Sequence, residues 1–238
     1  MTIACKVHRW FAGLLGAAVL ASGSTLAAPG GARQVGSFDA VSVRAPVEVE
    51  LRQAAAPRVE VRAEDAVQPL IETVVVDGAF GRTLDIRVKA GAKLPWPAKV
   101  RVVVDVASLR GLAIAGSGDV SGSGLKLERL EIRIGGSGDV RLNDLQAGQL
   151  ELNIAGSGDI ALSGRTDRLT ASIAGSGDID ASALDAQDVS LRIAGSGDAQ
   201  VRAATTLDVT IAGSGEVTYA GQPRLTQRIL GSGSLVQR

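Results

Sequence analysis

A short motif that returns at a nearly constant interval constrains the fold of this chain more than any other feature. The motif reads Ile-Ala-Gly-Ser-Gly-Asp-Val at residues 114–120, and seven copies of its Gly-Ser-Gly core stand two residues after an isoleucine. Successive copies lie 20, 20, 19, 20, 18 and 18 residues apart. A repeat of this length cannot bury an apolar face alone, so neighbouring repeats stack and share a core. The spacing therefore predicts a solenoid.

The residue pattern within each copy predicts β-strands. In the second copy, Leu130, Ile132 and Ile134 share one parity, whereas Glu131 and Arg133 share the other. A period of two is that of a strand, whose successive side chains point to opposite faces. The motif glycines fall on the inward parity, which favours a sharp bend or a close approach of two backbones. We therefore expect the chain to turn a corner at each Gly-Ser-Gly.

Stacking of equivalent residues predicts three inward apolar columns. The first consists of Ile114, Ile134, Ile154, Ile173, Ile193, Ile211 and Ile229. The second consists of Leu130, Leu150, Leu169, Val189, Leu207 and Leu225. The third consists of Val120, Val140, Ile160, Ile179, Ala199, Val217 and Leu235. The rest of each interval leaves room for a short third face.

These columns predict an all-β fold, a right-handed, three-sided, parallel β-helix-like solenoid with coils of 18–20 residues. A β-prism is one alternative. A propeller with two strands per repeat is another, although propeller blades usually need about 40 residues or more.

The region before the repeats lacks the motif but also has the residue pattern of strands. Alternating or β-branched segments predict strands at residues 47–51, 59–61, 74–76, 84–88 and 100–106. The end of a solenoid has unpaired strand edges, which proteins usually cover. We expect an irregular β cap or irregular first coils at residues 36–110, continuous with repeats at residues 111–238. A linker is predicted at residues 28–35.

The first 27 residues have the layout of a secretory signal peptide. Lys6 and Arg9 precede an apolar run from Phe11 to Ala21, and small residues follow as far as Ala27. This order predicts export and cleavage after Ala27; a retained N-terminal anchor is the alternative. The run is shorter than the ~20 residues of a spanning helix, and no second long apolar run follows. We expect no membrane span after cleavage, and a location in the periplasm, on the outer-membrane surface or outside the cell.

Removal of the signal peptide also restricts the available chemistry. The only cysteine, Cys5, and the only histidine, His8, both lie within it. The remaining chain has 23 basic and 25 acidic residues, a formal charge of −2 that gives no reason to expect nucleic acid as a partner. Without histidine or cysteine it lacks the commonest general base and the usual nucleophile–base pairs. We predict no catalytic residues, no cofactor and no enzymatic activity.

An outward acidic column is the most prominent candidate site. Its members are Asp119, Asp139, Asp159, Asp178, Asp198 and Glu216. Parallel coils would set these charges about 5 Å apart, at a cost of ~1 kcal/mol per pair even in water. One interpretation is a row of metal ligands, since Ca²⁺ takes carboxylate oxygens. The favoured interpretation is structural, with each carboxylate accepting hydrogen bonds from backbone N–H groups at the corner.

The repeated motif, the strands before it and the export signal resemble one known family. Ile-Ala-Gly-Ser-Gly-Asp-Ile at residues 154–160, with its companion copies, resembles the auto-transporter adhesin head GIN domain family. The resemblance covers about residues 36–237 and implies a secreted, β-helix-like domain with an adhesin role. That family has no established catalytic residues to carry over.

The expected function is adhesin-like binding of a surface glycan or protein by a non-enzymatic module. A periplasmic scaffold that self-associates through its coil ends, forming homo-oligomers, is the alternative. A polysaccharide-active enzyme is the third hypothesis.

Overall fold

A computed structural model describes residues 31–95 and 97–238 of the chain. The predicted signal peptide and the first three linker residues lie outside the described residues, so the structure does not bear on them. Within the described ranges, the strands join into one 17-stranded sheet. The all-β prediction is confirmed.

The seven repeats form ten of these strands. They are β8 (Gly111–Gly116), β9 (Asp119–Ser123), β10 (Lys126–Gly136), β11 (Val140–Gly156), β12 (Ile160–Gly175), β13 (Ile179–Gly195), β14 (Ala199–Gly213), β15 (Glu216–Ala220), β16 (Arg224–Gly231) and β17 (Ser234–Gln237). Every pairing among them is parallel.

Equivalent residues of successive repeats lie directly opposite one another. Ile134 pairs in register with Ile114 on one side and with Ile154 on the other. All three predicted columns follow the same register through the seven repeats. In a propeller or a prism the repeats would form separate sheets, whereas here each coil pairs with the next. The parallel solenoid is therefore confirmed, and the two alternatives were wrong.

Each coil has three faces, because the alternation of buried and exposed residues is interrupted three times. In β11, Asn143 and Asp144 are both exposed, and the next interruption separates buried Ala147 from buried Leu150. The third interruption is the Gly-Ser-Gly corner itself. We name the faces from this coil: the Asp face (139–143), the short face (145–147) and the Ile face (150–154). Asp144 has a φ of +52°, a left-handed conformation that Asp tolerates in turns.

The Gly-Ser-Gly corner brings the backbones of successive coils into direct contact. Gly156 has a φ of +148°, and a Cβ built on it would lie 2.2 Å from the carbonyl oxygen of Gly136. Ser157 donates its backbone N–H to that same oxygen at 2.9 Å. The glycines are therefore needed both for the bend and for the stacking of one corner on the next.

The region before the repeats forms the cap and contains the remaining strands. They are β1 (Ala32–Arg33), β2 (Ala40–Val43), β3 (Glu48–Gln53), β4 (Arg58–Arg62), β5 (Ile71–Gly78), β6 (Gly81–Val88) and β7 (Arg101–Val106). A 3₁₀ turn occupies Gln68–Leu70. The strands predicted in this region lie at these positions within a few residues.

The coils of the cap do not stack in chain order. On the Ile face, β2 lies between β6 and β8, and on the Asp face β3 lies between β7 and β9, all in parallel. The coil formed by β6 and β7 is therefore further from the repeats than the coil formed by β2 and β3, although β2 and β3 come first in the sequence. Strands β4 and β5 run the other way, because β5 is antiparallel to β6 and β4 is antiparallel to β7, and short β1 lies antiparallel outside β4.

An ion pair between a buried carboxylate and a half-exposed arginine holds β2 to β6 in the cap. The Asp85 carboxylate is almost fully buried, and the Arg44 guanidinium contacts both of its oxygens, with Nε 2.8 Å from Oδ1. Arg87 adds a contact of 3.3 Å to Oδ2. The hydrogen bonds to Asp85, followed by its negative charge, raise the pKa of Arg44 above its usual value. Such pairing is what makes a buried carboxylate tolerable.

Candidate functional site

The acidic column forms a continuous hydrogen-bonded ladder on the Asp face. The backbone N–H of Asp139 donates to Oδ1 of Asp119 at 3.0 Å, and the same bond recurs at each later coil. These later bonds measure 3.1 Å for Asp159 to Asp139, 2.9 Å for Asp178 to Asp159, 2.8 Å for Asp198 to Asp178 and 2.7 Å for Glu216 to Asp198. Each aspartate thus fixes the corner of the following coil.

The ladder offers a physical reason for a row of like charges. A carboxylate that accepts a backbone N–H is stabilised in its charged form, which offsets repulsion from the neighbouring coil. The column supplies one carboxylate per coil, and the described residues contain no cluster of three or more acidic, histidine or cysteine side chains able to hold a metal. The proposed calcium role of the six residues stays a prediction.

A groove of about 810 Å³ lies on the Asp face, where the cap meets the repeats. Its floor is β9, whose outward residues Ser121 and Ser123 are small. One wall comes from β3 and the other from β11, since both strands flank β9. The register places Glu50 and Arg141 on opposite sides of Ser121. Two short side chains between longer ones create the depression.

Three arginine–carboxylate pairs surround the groove. Their shortest N–O distances are 3.0 Å for Arg101–Glu48, 2.7 Å for Arg52–Glu50 and 3.1 Å for Arg141–Asp139. The arginine side chains are 47–61% exposed. Exposed pairs of this kind contribute little to stability because water and salt screen them. The guanidinium groups can therefore turn towards a ligand at small cost.

The groove offers hydrogen-bond donors and acceptors side by side. Guanidinium groups donate, carboxylates accept, and the hydroxyls of Ser121 and Ser123 do both. Such a surface matches a ligand with many hydroxyl groups, and an arginine fork also matches a sugar carboxylate. The volume falls within the range of about 300–1,000 Å³ that is typical of ligand sites.

Only the acidic residues of the Asp face were predicted from the sequence as candidate site residues. Asp119 and Asp139 belong to the predicted acidic column, and both lie beside the groove. The wall residues Glu48, Glu50 and Arg101 were not predicted as site residues. Their outward parity in predicted strands was visible in the sequence, but their position beside the groove depends on the stacking order of the cap.

The fold is a parallel β-solenoid with a polar groove on one face, and solenoids of several families present their extended faces for recognition. The chain belongs to the family described as "Putative auto-transporter adhesin, head GIN domain", whose sequence pattern matches residues 37–223. The resemblance noted from the sequence is confirmed.

Solved structures share the fold over most of their length. A "putative adhesin" from Bacteroides fragilis NCTC 9343 is 24% identical, with a TM-score of 0.81 over 87% of this chain and 95% of that one. A "putative lipid binding protein" from Parabacteroides distasonis ATCC 8503 is 28% identical, with a TM-score of 0.71 over the same shares. A "putative adhesin" from Parabacteroides merdae ATCC 43184 is 23% identical, with a TM-score of 0.65 over 87% and 94%.

No curated protein sequence is detectably similar to this chain. Within residues 31–95 and 97–238, no helix has the length and apolar character needed to cross a bilayer.

Proposed function

We propose that this chain is an exported, adhesin-like module of the cell envelope that binds a polar glycan in the groove above Ser121. The observation that carries the proposal is the arrangement of this groove, with small hydroxyl side chains between exposed arginine–carboxylate pairs. Membership of an adhesin family supports the same role.

The proposed ligand is polar because of what lines the groove and what fills the solenoid. Apolar columns occupy the interior, where members such as Ile173 and Val140 are 0% exposed. The exposed side chains of the groove carry charges and hydroxyls, whereas the apolar residues that also line it, Val49, Leu51 and Val120, are buried beneath them. The name of one structural relative mentions lipid binding, but the groove itself favours a sugar.

The module acts by binding and not by catalysis. From residue 28 onward the sequence contains neither histidine nor cysteine. The coils keep to 18–20 residues, so none of the repeats carries a long loop that would build a catalytic cleft. The groove carboxylates Glu48 and Glu50 and the neighbouring Asp139 are each paired with an arginine at the surface, and Asp119 accepts the backbone N–H of Asp139, an arrangement that suits recognition.

Filling the groove is expected to abolish binding without loss of fold. The variant Ser121→Trp places a bulky side chain on the exposed floor, and we expect its affinity for the bound sugar to fall at least about tenfold. The measurement is binding to an immobilised panel of neutral and uronic-acid-containing oligosaccharides. The matched control is Gln200→Trp, since Gln200 is exposed and lies four coils further along the same outward column.

The comparison has clear outcomes once both variants melt like the parent chain. Loss of sugar binding in Ser121→Trp alone supports the proposal. Equal binding by both variants places the ligand elsewhere. If the parent chain binds no sugar but binds an envelope protein saturably, the ligand of the groove would be a protein. Release of reducing ends from a polysaccharide would contradict the non-enzymatic role.

A further inference from the structure

The large apolar side chains that are exposed among the described residues all lie at the two ends of the solenoid. Val76, on β5, is 39% exposed at the cap end. At the opposite end, Leu225, Leu230 and Val236 on β16 and β17 are 38%, 60% and 44% exposed. The coils between the ends carry no such residue within the described ranges.

The last coil leaves the core partly open; we call it the distal end (residues 220–238). Within the described residues, β16 pairs only with β14, and β17 pairs only with β15. Leu225 belongs to a column whose preceding member, Leu207, is 1% exposed. Ile229 and Leu235 are only partly buried, unlike their counterparts in the inner coils. Strand edges and apolar side chains are therefore available together.

The cap has a matching free edge, which we call the proximal end (residues 63–78). Among the described strands, β5 pairs only with β6, so its other edge offers unpaired N–H and C=O groups. Both free edges lie on the Ile face. Strand β5 is linked to β8 through β6 and β2, and β16 pairs with the Ile-face part of β14. A second copy placed along the solenoid axis would bring these two edges together.

The two free edges on the Ile face carry opposite charges, whereas the outer cap strands on the Asp face, β1 and β4, are mixed in charge, with Arg33, Arg58 and Arg62 beside Glu60. The proximal end contains Glu64, Asp65, Glu72 and Asp77 and no basic residue. The distal end contains Arg224, Arg228 and Arg238 and no acidic residue. All of these side chains are exposed except Glu72, which is partly buried beside Arg87. Contact between unlike ends is attractive, whereas contact between like ends is repulsive.

We propose that copies of this chain associate head to tail, with the distal end of one copy seated on the proximal end of the next. Strand β16 of one copy then lies beside β5 of its neighbour. The pairing is antiparallel, because β5 runs opposite to the coil strands. The contact covers Leu225, Leu230 and Val76 and neutralises the charged ends. A heterologous contact of this kind leaves one free end on each side, so it extends into linear assemblies.

The association is separate from the glycan groove. The groove lies on the Asp face, whereas the free edges of β5 and β16 lie on the Ile face at the two ends. A linear assembly would therefore repeat the groove along its length and raise the avidity of the module. Loss of association does not remove the groove, and loss of the groove does not remove association.

Charge reversal tests the proposal directly. The distal variant is Arg224→Glu with Arg228→Glu, and the proximal variant is Glu64→Lys with Asp65→Lys and Asp77→Lys. Sedimentation velocity over a wide concentration range should show linear assemblies for the parent chain, which dissociate as salt is raised. Each variant alone should remain monomeric at concentrations where the parent assembles. An equal mixture of the two should assemble again, because its unlike ends are complementary.

The matched control is Arg192→Glu, since Arg192 is exposed and lies two coils before Arg228 in the same outward column. It should assemble like the parent chain. A parent chain that is monomeric at every concentration would overturn the proposal. So would variants that assemble alone, or a mixture of folded variants that stays monomeric. Assembly lost equally in Arg192→Glu would show a general charge effect and would also overturn it.

Discussion

Replacing Gly158 with alanine is expected to destabilise the solenoid by about 3 kcal/mol or more, or to prevent folding. A Cβ at this position would lie 2.2 Å from the carbonyl oxygen of Gly138 and 2.9 Å from Cγ2 of Ile134. Neither neighbour can move freely, because the oxygen belongs to the stacked corner below and Ile134 is packed in the core. Urea denaturation followed by circular dichroism measures the change.

The control for this glycine is Gly135→Ala, one residue before the motif glycines of the second repeat. A Cβ there meets only the carbonyl oxygen of Ile114, at 3.8 Å. Other repeats already carry alanine at this position, at Ala115, Ala155, Ala174, Ala194 and Ala212. We expect a change within about 0.5 kcal/mol. Equal destabilisation by both substitutions would show that stacked corners are not the cause.

Truncation of Ile173 to alanine is expected to cost about 4 kcal/mol. Ile173 is 0% exposed and lies in register between Ile154 and Ile193, so its removal leaves a cavity walled by rigid neighbouring coils. Truncation of a buried isoleucine costs about 2–5 kcal/mol, and the cost rises where the site cannot collapse. Thermal and urea unfolding of the variant give the value.

The same substitution in the last coil is the internal control. Ile229 occupies the same column but is only partly buried, and its coil has one neighbour instead of two. We expect Ile229→Ala to cost about 1 kcal/mol, since less apolar surface returns to water and no closed cavity forms. A loss at Ile229 as large as that at Ile173 would mean that something covers the distal end, as head-to-tail association does. Measurements on dilute monomer and on the assembly separate these cases.

Much of the repeat region could be predicted from the sequence because local patterns determine it. The period of two identifies the inward residues, and the near-constant interval aligns Ile154 with Ile134 and Ile173. The aspartate ladder could also be anticipated, since Asp is favoured in turns where its side chain accepts backbone N–H groups. The structure adds that the donor is the N–H of the next coil's acidic residue.

The groove could not be predicted, because it depends on contacts between segments distant in sequence. Stacking in chain order would place β7 next to β9. Strand β3 lies there instead, with β7 on its other side. Alternation within residues 47–51 shows which side chains face outward, but it carries no information about the neighbouring strand. Short Ser121 becomes a groove floor only when Glu50 and Arg141 flank it.

Under the proposed function, this module faces the exterior of the cell and binds its ligand there. The most direct test is immunolabelling of source cells with an antibody against the purified chain, before and after the outer membrane is opened. Strong labelling of intact cells is the result that an adhesin-like role predicts. Labelling that appears only after the membrane is opened would place the protein in the periplasm, contradict the adhesin role and favour the structural scaffold.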